Sequence, residues 1–108
     1  MARVGSKRTA RSETRQVAAL PWRLENGQRR ILMITSRETR RWVIPKGGRM
    51  VGKTDPEAAA QEAMEEAGVK GDIDSQSIGV FRYAKGTKDG GVRQCVVSVY
   101  PLEVLIQM

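Results

Sequence analysis

The sequence has no histidine and only one cysteine in 108 residues. A single cysteine, Cys95, excludes an internal disulfide and is compatible with a reducing compartment, so we expect a cytoplasmic protein. With no histidine to activate it, Cys95 is expected to be a buried strand residue rather than a nucleophile. No apolar run approaches the ~18 residues that span a bilayer, and no segment repeats. A chain of 108 residues with none of these features is expected to form one small domain with a single core.

Positive charge is concentrated at the amino end. Residues 1–15 hold five of the 19 basic side chains but one of the 12 acidic ones, and therefore most of the net charge of +7. The stretch is rich in Ser, Thr and Arg and lacks aromatic residues, a composition typical of a disordered, solubilising arm. Weak contact with nucleic acid or polyphosphate is the functional alternative. We expect a basic arm over 1–15 and a folded domain over 16–108.

Three glutamates, Glu62, Glu65 and Glu66, fall on one face of a predicted helix, within about a third of its circumference. The opposite side carries the small apolar residues that can pack against a sheet: Ala60, Ala63, Met64 and Ala67. Like charges on one face repel by roughly 0.2–0.5 kcal/mol per pair unless something neutralises them. Converging carboxylates suit Mg²⁺ or Mn²⁺, with water and phosphate as further ligands. The alternative is a solvated acidic face.

The segment before these glutamates predicts a strand, a glycine loop and a helix. Residues 41–44 form the strand, which Pro45 ends. The glycines at 47, 48 and 52 allow positive φ and bring backbone N–H groups close to an anion. Thr54 or Asp55 can cap a helix over 55–67, with a capping box to Glu57 and a stop at Gly68. Hairpins are expected over 17–35, with a turn at Asn26–Gly27, and over 78–100.

The glycine loop also permits a different motif. Gly47 to Thr54 matches the G-x4-G-K-T pattern of a phosphate-binding P-loop. In a P-loop the helix begins at the Gly-Lys-Thr, which would place Pro56 at the end of its first turn. That fold also needs an acidic residue after a buried strand, and the apolar run 96–99 ends in Tyr100–Pro101 instead. The P-loop remains the weaker alternative.

Residues 47–69 resemble the Nudix hydrolase box, G-x5-E-x7-R-E-U-x-E-E-x-G-U, in which U is a bulky apolar residue. The matching positions are Gly47, Glu62, Glu65, Glu66, Gly68 and Val69. The flanks RRWVIPKGG and GVKG are most similar to the diphosphoinositol polyphosphate and dinucleoside polyphosphate hydrolase branch. The resemblance implies an α/β (α+β) fold, an α/β/α sandwich around a mixed β-sheet.

Three positions depart from the box. Lys53 replaces the first glutamate, Gln61 replaces the arginine, and Ala63 is smaller than the usual residue. In the family the glutamate and arginine brace the loop and orient the catalytic glutamates, so their joint loss leaves the metal ligands intact but affects the rate. The family's C-terminal helix also has no counterpart before Met108, and we expect the domain to be truncated at its carboxyl end.

The resemblance implies metal-dependent cleavage of a diphosphate linkage in a nucleoside or inositol polyphosphate. Glu62 and Glu66 would hold Mg²⁺ or Mn²⁺ with the Gly47 carbonyl, and Glu65 would orient or deprotonate the attacking water. The family's phosphate contacts correspond to these residues: Ser36, Arg37, Lys46, Gly47 and Gly48. Other basic residues could border the cleft: Arg40, Arg41, Arg82, Lys85, Lys88 and Arg93. Trp42 is expected in the core, and Trp22 in the core or as a base-stacking platform.

A second hypothesis is a degenerate Nudix module that binds polyphosphate or RNA ends without cleaving them. Lys53, Gln61 and the absent helix favour this hypothesis. The intact E-x-x-E-E opposes it, because adjacent carboxylates give a pure anion binder no advantage. The expected partner is in either case a phosphorylated small molecule, with weaker support for nucleic acid and none for a membrane. The leaving group and the oligomeric state stay open.

Overall fold

Two long parallel strands form the centre of the protein. The computed structural model describes residues 13–36 and 39–108. Strand β1 (Glu13–Glu25) and strand β8 (Val92–Gln107) pair in parallel, from Glu13 opposite Gln94 to Trp22 opposite Glu103. Parallel neighbours need a crossover connection, and here the intervening chain supplies the remaining strands and the helix.

Each central strand has two shorter antiparallel neighbours along its outer edge. The first half of β1 pairs with β5 and its second half with β2. The first half of β8 pairs with β7 and its second half with β6. These six strands form one mixed sheet, and β3 and β4 form a separate two-stranded ribbon. The short strands are β2 (Gln28–Ile31), β3 (Ile34–Thr35), β4 (Trp42–Val43), β5 (Lys46–Gly48), β6 (Val69–Ile73) and β7 (Gly79–Gly86).

Helix α1 (Asp55–Ala67) is the only helix in the described ranges, and it covers one face of the sheet. Its bounds confirm the predicted helix over 55–67. Ala59 and Ala63 are fully buried against Val17 and Ala19 of β1, so small side chains on both elements let helix and sheet approach closely. Over residues 13–36 and 39–108, no helix has the length and apolarity to cross a membrane.

The predicted hairpins are present with altered bounds. Asn26 and Gly27 both have positive φ, 52° and 77°, as a two-residue turn between β1 and β2 requires. The second pair of predicted strands is found as β7 and β8, and β8 extends to Gln107 because its second half gains β6 as a partner. Strand β6 was not predicted, because its alternation is only five residues long and has Gly71, a residue type depleted in strands, at its centre.

Several expectations were wrong in detail. Strand β1 begins at Glu13, inside the predicted arm, while the rest of that arm lies outside the described residues. Gly47 and Gly48 lie in a strand rather than in a loop, and of the three glycines only Gly52 has positive φ, at 80°. Trp42 is not a core residue: it is 72% exposed, because its two-stranded ribbon stands apart from the main sheet. Cys95 is buried in a strand, as expected.

Gly71 provides a test of the β6–β8 pairing. A Cβ atom there would overlap the backbone carbonyl of Glu103 and lie 3.0 Å from the nitrogen of Leu105. Because neither backbone group can rotate away, we expect Gly71→Ala to lower the free energy of unfolding by about 1–3 kcal/mol. Urea denaturation would measure the loss. Gly79→Ala is the control, since nothing lies within 4 Å of a Cβ there. Equal stability of the two variants would contradict this account of the pairing.

Candidate active site

The start of α1 is fixed by a complete capping box. Thr54 is the N-cap: its side chain accepts a hydrogen bond from the Glu57 backbone N–H, and the Glu57 side chain accepts one from the Thr54 backbone N–H. Pro56 occupies the first turn, and Gly68 ends the helix with φ of 68°. The cap fixes where α1 begins, and the burial of Ala59 and Ala63 against the sheet sets the direction in which the three glutamates point.

The same cap excludes the P-loop alternative. The helix begins at Asp55, after the Gly-Lys-Thr, and the Thr54 hydroxyl is engaged in the cap. Gly47 and Gly48, which would begin a P-loop, are instead hydrogen-bonded in β5 against β1. A phosphate cradle at a helix N-terminus therefore does not form from this segment.

Gly47 lies directly against Glu62. The residue opposite Gly47 on β1 is Val17, which faces α1, so a side chain at 47 would also point towards the helix. A Cβ atom there would overlap the Glu62 carboxylate. Glycine is therefore required for this close approach rather than for an unusual backbone angle. The carboxylate of Glu62 occupies the space that a side chain at position 47 would fill.

Glu62 and Glu66 are close enough to interact directly. The pKa of Glu62 is raised to about 7, chiefly by burial and further by the hydrogen bond with Glu66 and the negative charges of Glu66 and Glu65. A raised pKa means that the charged form of Glu62 is disfavoured beside Glu66 when no cation is present. A divalent cation would neutralise the same charges, so the donor chemistry fits Mg²⁺ or Mn²⁺.

Within residues 13–36 and 39–108, no three side chains of the His, Cys, Asp and Glu types form a group that could hold a metal ion. The predicted ligand set has only two such side chains, Glu62 and Glu66, together with the Gly47 carbonyl. Mg²⁺ usually keeps several waters and binds one or two carboxylates together with substrate phosphates. The two carboxylates are thus sufficient for a cation that substrate helps to hold.

The other two glutamates are each oriented by a neighbour. Glu66 Oε1 accepts a hydrogen bond from the Lys46 backbone N–H at 3.2 Å, which links the helix to β5. Glu65 Oε2 accepts one from Gln61 Nε2 at 2.8 Å. The contact with Gln61 was not foreseen, although the four-residue spacing on one helix face is the signal that predicts it. Both glutamates are exposed to solvent.

Glu65 and Glu66 border an open cavity of about 500 Å³, which we call the carboxylate cleft, whereas Glu62 does not line it. It is lined by Ser36, Lys46, Glu65 and Glu66, together with Ile34, Thr35, Val43 and Ile44. Two of the predicted phosphate-binding residues, Ser36 and Lys46, are thus beside the glutamates. Gly47 and Gly48 do not line this cavity, and Arg37 lies outside the described residues.

A second cavity of about 690 Å³ adjoins the first and shares Ser36, Val43, Ile44 and Lys46 with it. We call it the aromatic cleft, because three aromatic side chains line it: Trp42, Phe81 and Tyr83. Arg41 and Lys85 also line it, whereas Arg40, Arg82, Lys88 and Arg93 do not. Period-two alternation along β7 explains why Arg82 does not, since Phe81, Tyr83 and Lys85 share one face and Arg82 points to the other.

Lys46 is held between the two clefts. Its ammonium nitrogen lies 5.1 Å from the centroid of the Tyr83 ring, within cation–π range. The Tyr83 hydroxyl donates a hydrogen bond to Gln16 Oε1 at 2.7 Å, and burial raises the pKa of Tyr83 above its ordinary value. Tyr83 therefore stays a neutral donor and fixes the ring on which Lys46 rests.

The raised pKa of Glu62 can be tested through the pH dependence of the protein's stability. Because its pKa in the folded protein is raised from 4.5 to about 7, the contribution of Glu62 to the stability of the metal-free fold is fully present below about pH 4.5 and is lost as the pH rises through 7. Glu62→Gln cannot ionise, so its stability relative to the wild type should increase from pH 5 to pH 8. Urea denaturation in a chelator would measure this. A difference that does not change with pH would contradict it.

A model of the NUDIX domain matches residues 14–104. The chain belongs to the Nudix family. The match confirms the family predicted from residues 47–69 and extends it over nearly all of the chain that the structure describes. Lys53 and Gln61, which replace the box glutamate and arginine of the Nudix motif, line one shallow cavity, so the two altered positions remain neighbours.

The Nudix relatives include enzymes named for diphosphate substrates. Over 75 residues the chain is 37% identical to diphosphoinositol polyphosphate phosphohydrolase 3-alpha of Mus musculus, covering 68% of this chain and 44% of that protein. Over 53 residues it is 47% identical to Nudix hydrolase 13, mitochondrial, of Arabidopsis thaliana, covering 49% of this chain and 26% of that protein. The chain therefore spans less than half of the length of these curated relatives.

Solved Nudix structures share the fold. The C. elegans Ap4A hydrolase superposes with a TM-score of 0.61 at 19% identity, covering 83% of this chain and 68% of that one. The E. coli dihydroneopterin triphosphate pyrophosphohydrolase gives 0.63 at 18% identity, covering 86% and 73%. Identities this low show the fold alone. They confirm the predicted mixed α+β class, here dominated by strands with one helix.

Proposed function

We propose that this domain hydrolyses a diphosphate linkage in a nucleoside or inositol polyphosphate, with Mg²⁺ or Mn²⁺ bound. The observation that carries the proposal is the pairing of Glu62 with Glu66 against Gly47. Such a pair is unfavourable without a cation, and it lies beside a cleft that contains Lys46. The names of the relatives, which refer to diphosphoinositol polyphosphate and to Ap4A, support the substrate class.

Glu62, Glu66 and the Gly47 carbonyl would hold the cation. When bound, it supplies positive charge that stabilises the phosphoryl oxygens and lowers the pKa of water. Glu65, exposed in the carboxylate cleft, accepts a proton from the attacking water, and its hydrogen bond from Gln61 keeps one oxygen oriented while the other is free for the water. Lys46 and Ser36 bind the phosphates and hold them in line with the attack.

The direct test is product release from diadenosine polyphosphates, inositol pyrophosphate, ADP-ribose and 5′-triphosphate RNA, with Mg²⁺, Mn²⁺ or a chelator. We expect turnover of at least one substrate that stops when the metal is chelated. A folded sample that binds Mn²⁺ and cleaves none of them would overturn the proposal.

Binding without cleavage is the second candidate, and Gln61 is the observation that favours it. A neutral amide replaces the arginine of the Nudix box and contacts Glu65, the base in the hydrolytic scheme. Such a module would bind polyphosphate or RNA ends with no turnover. A double variant, Gln61→Arg with Lys53→Glu, restores the Nudix box and distinguishes hydrolysis from binding without cleavage. If only this variant cleaves a substrate, the natural chain is a degenerate binding module.

We also infer a cytoplasmic location from the single cysteine.

A further inference from the structure

The face of the sheet opposite α1 is apolar and is left uncovered by the residues that the structure describes. Period-two alternation along β1 directs Val17 and Ala19 towards α1 and Leu20 and Trp22 towards the opposite face. A parallel strand that is apolar on both sides is usually buried on both sides. Within residues 13–36 and 39–108, however, α1 is the only helix, and it covers one side alone. The opposite face therefore lacks the cover that its sequence favours.

This surface, which we call the bare face, surrounds an open cavity of about 540 Å³. Six apolar side chains line the cavity: Leu20, Trp22, Ile31, Ile73, Ile78 and Pro101. Ile78 is 61% exposed and Ile31 is 44% exposed. Single exposed apolar residues are ordinary on a protein surface, but a contiguous group of them on one face of a sheet is typical of an interaction surface.

The charges on the bare face are divided between its two sides. The strands follow the order β2, β1, β8, β6 across the sheet. Arg29 on β2 is the one basic residue among the described residues that line the cavity, whereas Asp72, Asp74 and Glu103 are on the side of β8 and β6. Within the described part of the chain, none of these four residues forms a salt bridge. An apolar strip thus separates a basic side from an acidic side.

The opposite charges are at the same level along the strands. The Arg29 guanidinium lies 5.4 Å from the centroid of the Trp22 ring, and Trp22 is level with Glu103 on β8. Glu103 is in turn opposite Asp72 on β6. One row across the sheet therefore begins with a positive charge over β1 and ends with two negative charges on β8 and β6.

We propose that the bare face is the interface of a homodimer. A two-fold axis parallel to β1 and β8 turns a second sheet face to face with the first, exchanges the two sides and keeps each residue at its level along the strands. Arg29 of each protomer then faces the acidic side of the other, and the apolar strips meet between them. Sheets about 10 Å apart with their strands aligned within about 30° are a common packing. A partner with charge of one sign would match only one side of the face, whereas a second copy matches both.

The size of the bare face sets the expected strength of the dimer. Four strands about 4.8 Å apart give a width of about 15–20 Å, so the buried area falls at the lower end of the range for specific interfaces. We therefore expect a dissociation constant in the micromolar range that increases with salt, because the two sides are charged. The bare face shares no lining residue with the carboxylate cleft or the aromatic cleft, so the dimer leaves both open and does not depend on the hydrolytic function.

Sedimentation velocity of the whole chain tests the dimer, at concentrations from about 1 µM to about 500 µM, which bracket a micromolar dissociation constant. We expect the wild type to change from monomer to dimer over this range. Arg29→Glu and Glu103→Arg should each weaken association by about 10- to 100-fold, because each places like charges together twice across the two-fold axis. Both positions are exposed, so both variants should fold, which circular dichroism would verify.

A mixture of the two variants separates lost complementarity from a damaged surface. In a heterodimer of Arg29→Glu with Glu103→Arg, both contacts between positions 29 and 103 again join opposite charges. The equimolar mixture should therefore recover most of the wild-type affinity, although neither variant does so alone. Arg82→Glu is the matched control, because it makes the same charge change on the other face of the sheet, and it should dimerise like the wild type.

Three results would overturn the proposal. A wild type that stays monomeric throughout the concentration range would leave the bare face to a partner of another kind. A dimer that is unaffected by Arg29→Glu and by Glu103→Arg would use a different surface. A mixture that associates no more tightly than its separate components would show that Arg29 and Glu103 do not face each other across the interface.

Discussion

Glu65→Gln is expected to lower turnover by about 10²–10⁴-fold, the contribution usual for a positioned general base. The amide keeps the size of the side chain but cannot accept the proton of the attacking water. Glu65 is exposed and has Gln61 as its hydrogen-bond partner, so the fold should be unaffected. The measurement is kcat under saturating metal and substrate, with far-ultraviolet circular dichroism to verify the fold.

Glu103→Gln is the matched control for Glu65→Gln, because Glu103 is an exposed glutamate on β8 that lines neither the carboxylate cleft nor the aromatic cleft. Its turnover should equal that of the wild type. Unchanged kcat in Glu65→Gln would remove Glu65 from the mechanism and leave hydrolysis to another base.

Gly47→Ala is expected to reduce activity by about 10²-fold with little loss of stability. A Cβ atom at 47 meets only the carboxylate end of Glu62, which is flexible and can rotate away. The fold therefore tolerates the change, whereas a carboxylate proposed to hold the cation is displaced, and displacements of about 1 Å have effects of this size. Mn²⁺ affinity, measured by electron paramagnetic resonance, should fall together with activity.

The contrast with Gly71 makes the Gly47 result interpretable. Both glycines exclude a Cβ atom, but the group in the way is backbone at Gly71 and a mobile carboxylate at Gly47. Gly71→Ala should therefore lose stability, and Gly47→Ala should lose metal binding. A Gly47→Ala protein that unfolds as readily as Gly71→Ala, or one that binds Mn²⁺ normally, would show that Gly47 serves the fold rather than the site.

Local signals predicted the helix and its glutamates well. The capping box at Thr54, Pro56 in the first turn and Gly68 at the end defined α1 to the residue. Helical periodicity then placed Glu62, Glu65 and Glu66 together, because three- and four-residue spacings bring side chains to one face whatever the helix packs against. The Asn26–Gly27 turn was equally local, since its two positive φ angles favour those residue types.

The pairing of the strands was harder to predict from residues that are neighbours in the sequence. Gly47 and Gly48 were predicted to lie in a glycine loop, because nothing within three residues shows that β1 lies alongside and supplies hydrogen bonds. Strand β6 is only five residues long with a glycine at its centre, and it exists because the second half of β8 offers it an edge. Trp42 was predicted to lie in the core, although the ribbon that carries it stands away from the main sheet.

The sequence by itself determined the family, the helix and the spacing of the three carboxylates, because each depends on residues that are near one another along the chain. Only the tertiary structure decided that Gly47 makes room for Glu62, that Lys46 joins two clefts, and that Trp42, Phe81 and Tyr83 line the second of them. These contacts join separate elements, and their distances follow from how β5 and β7 pair with the central strands.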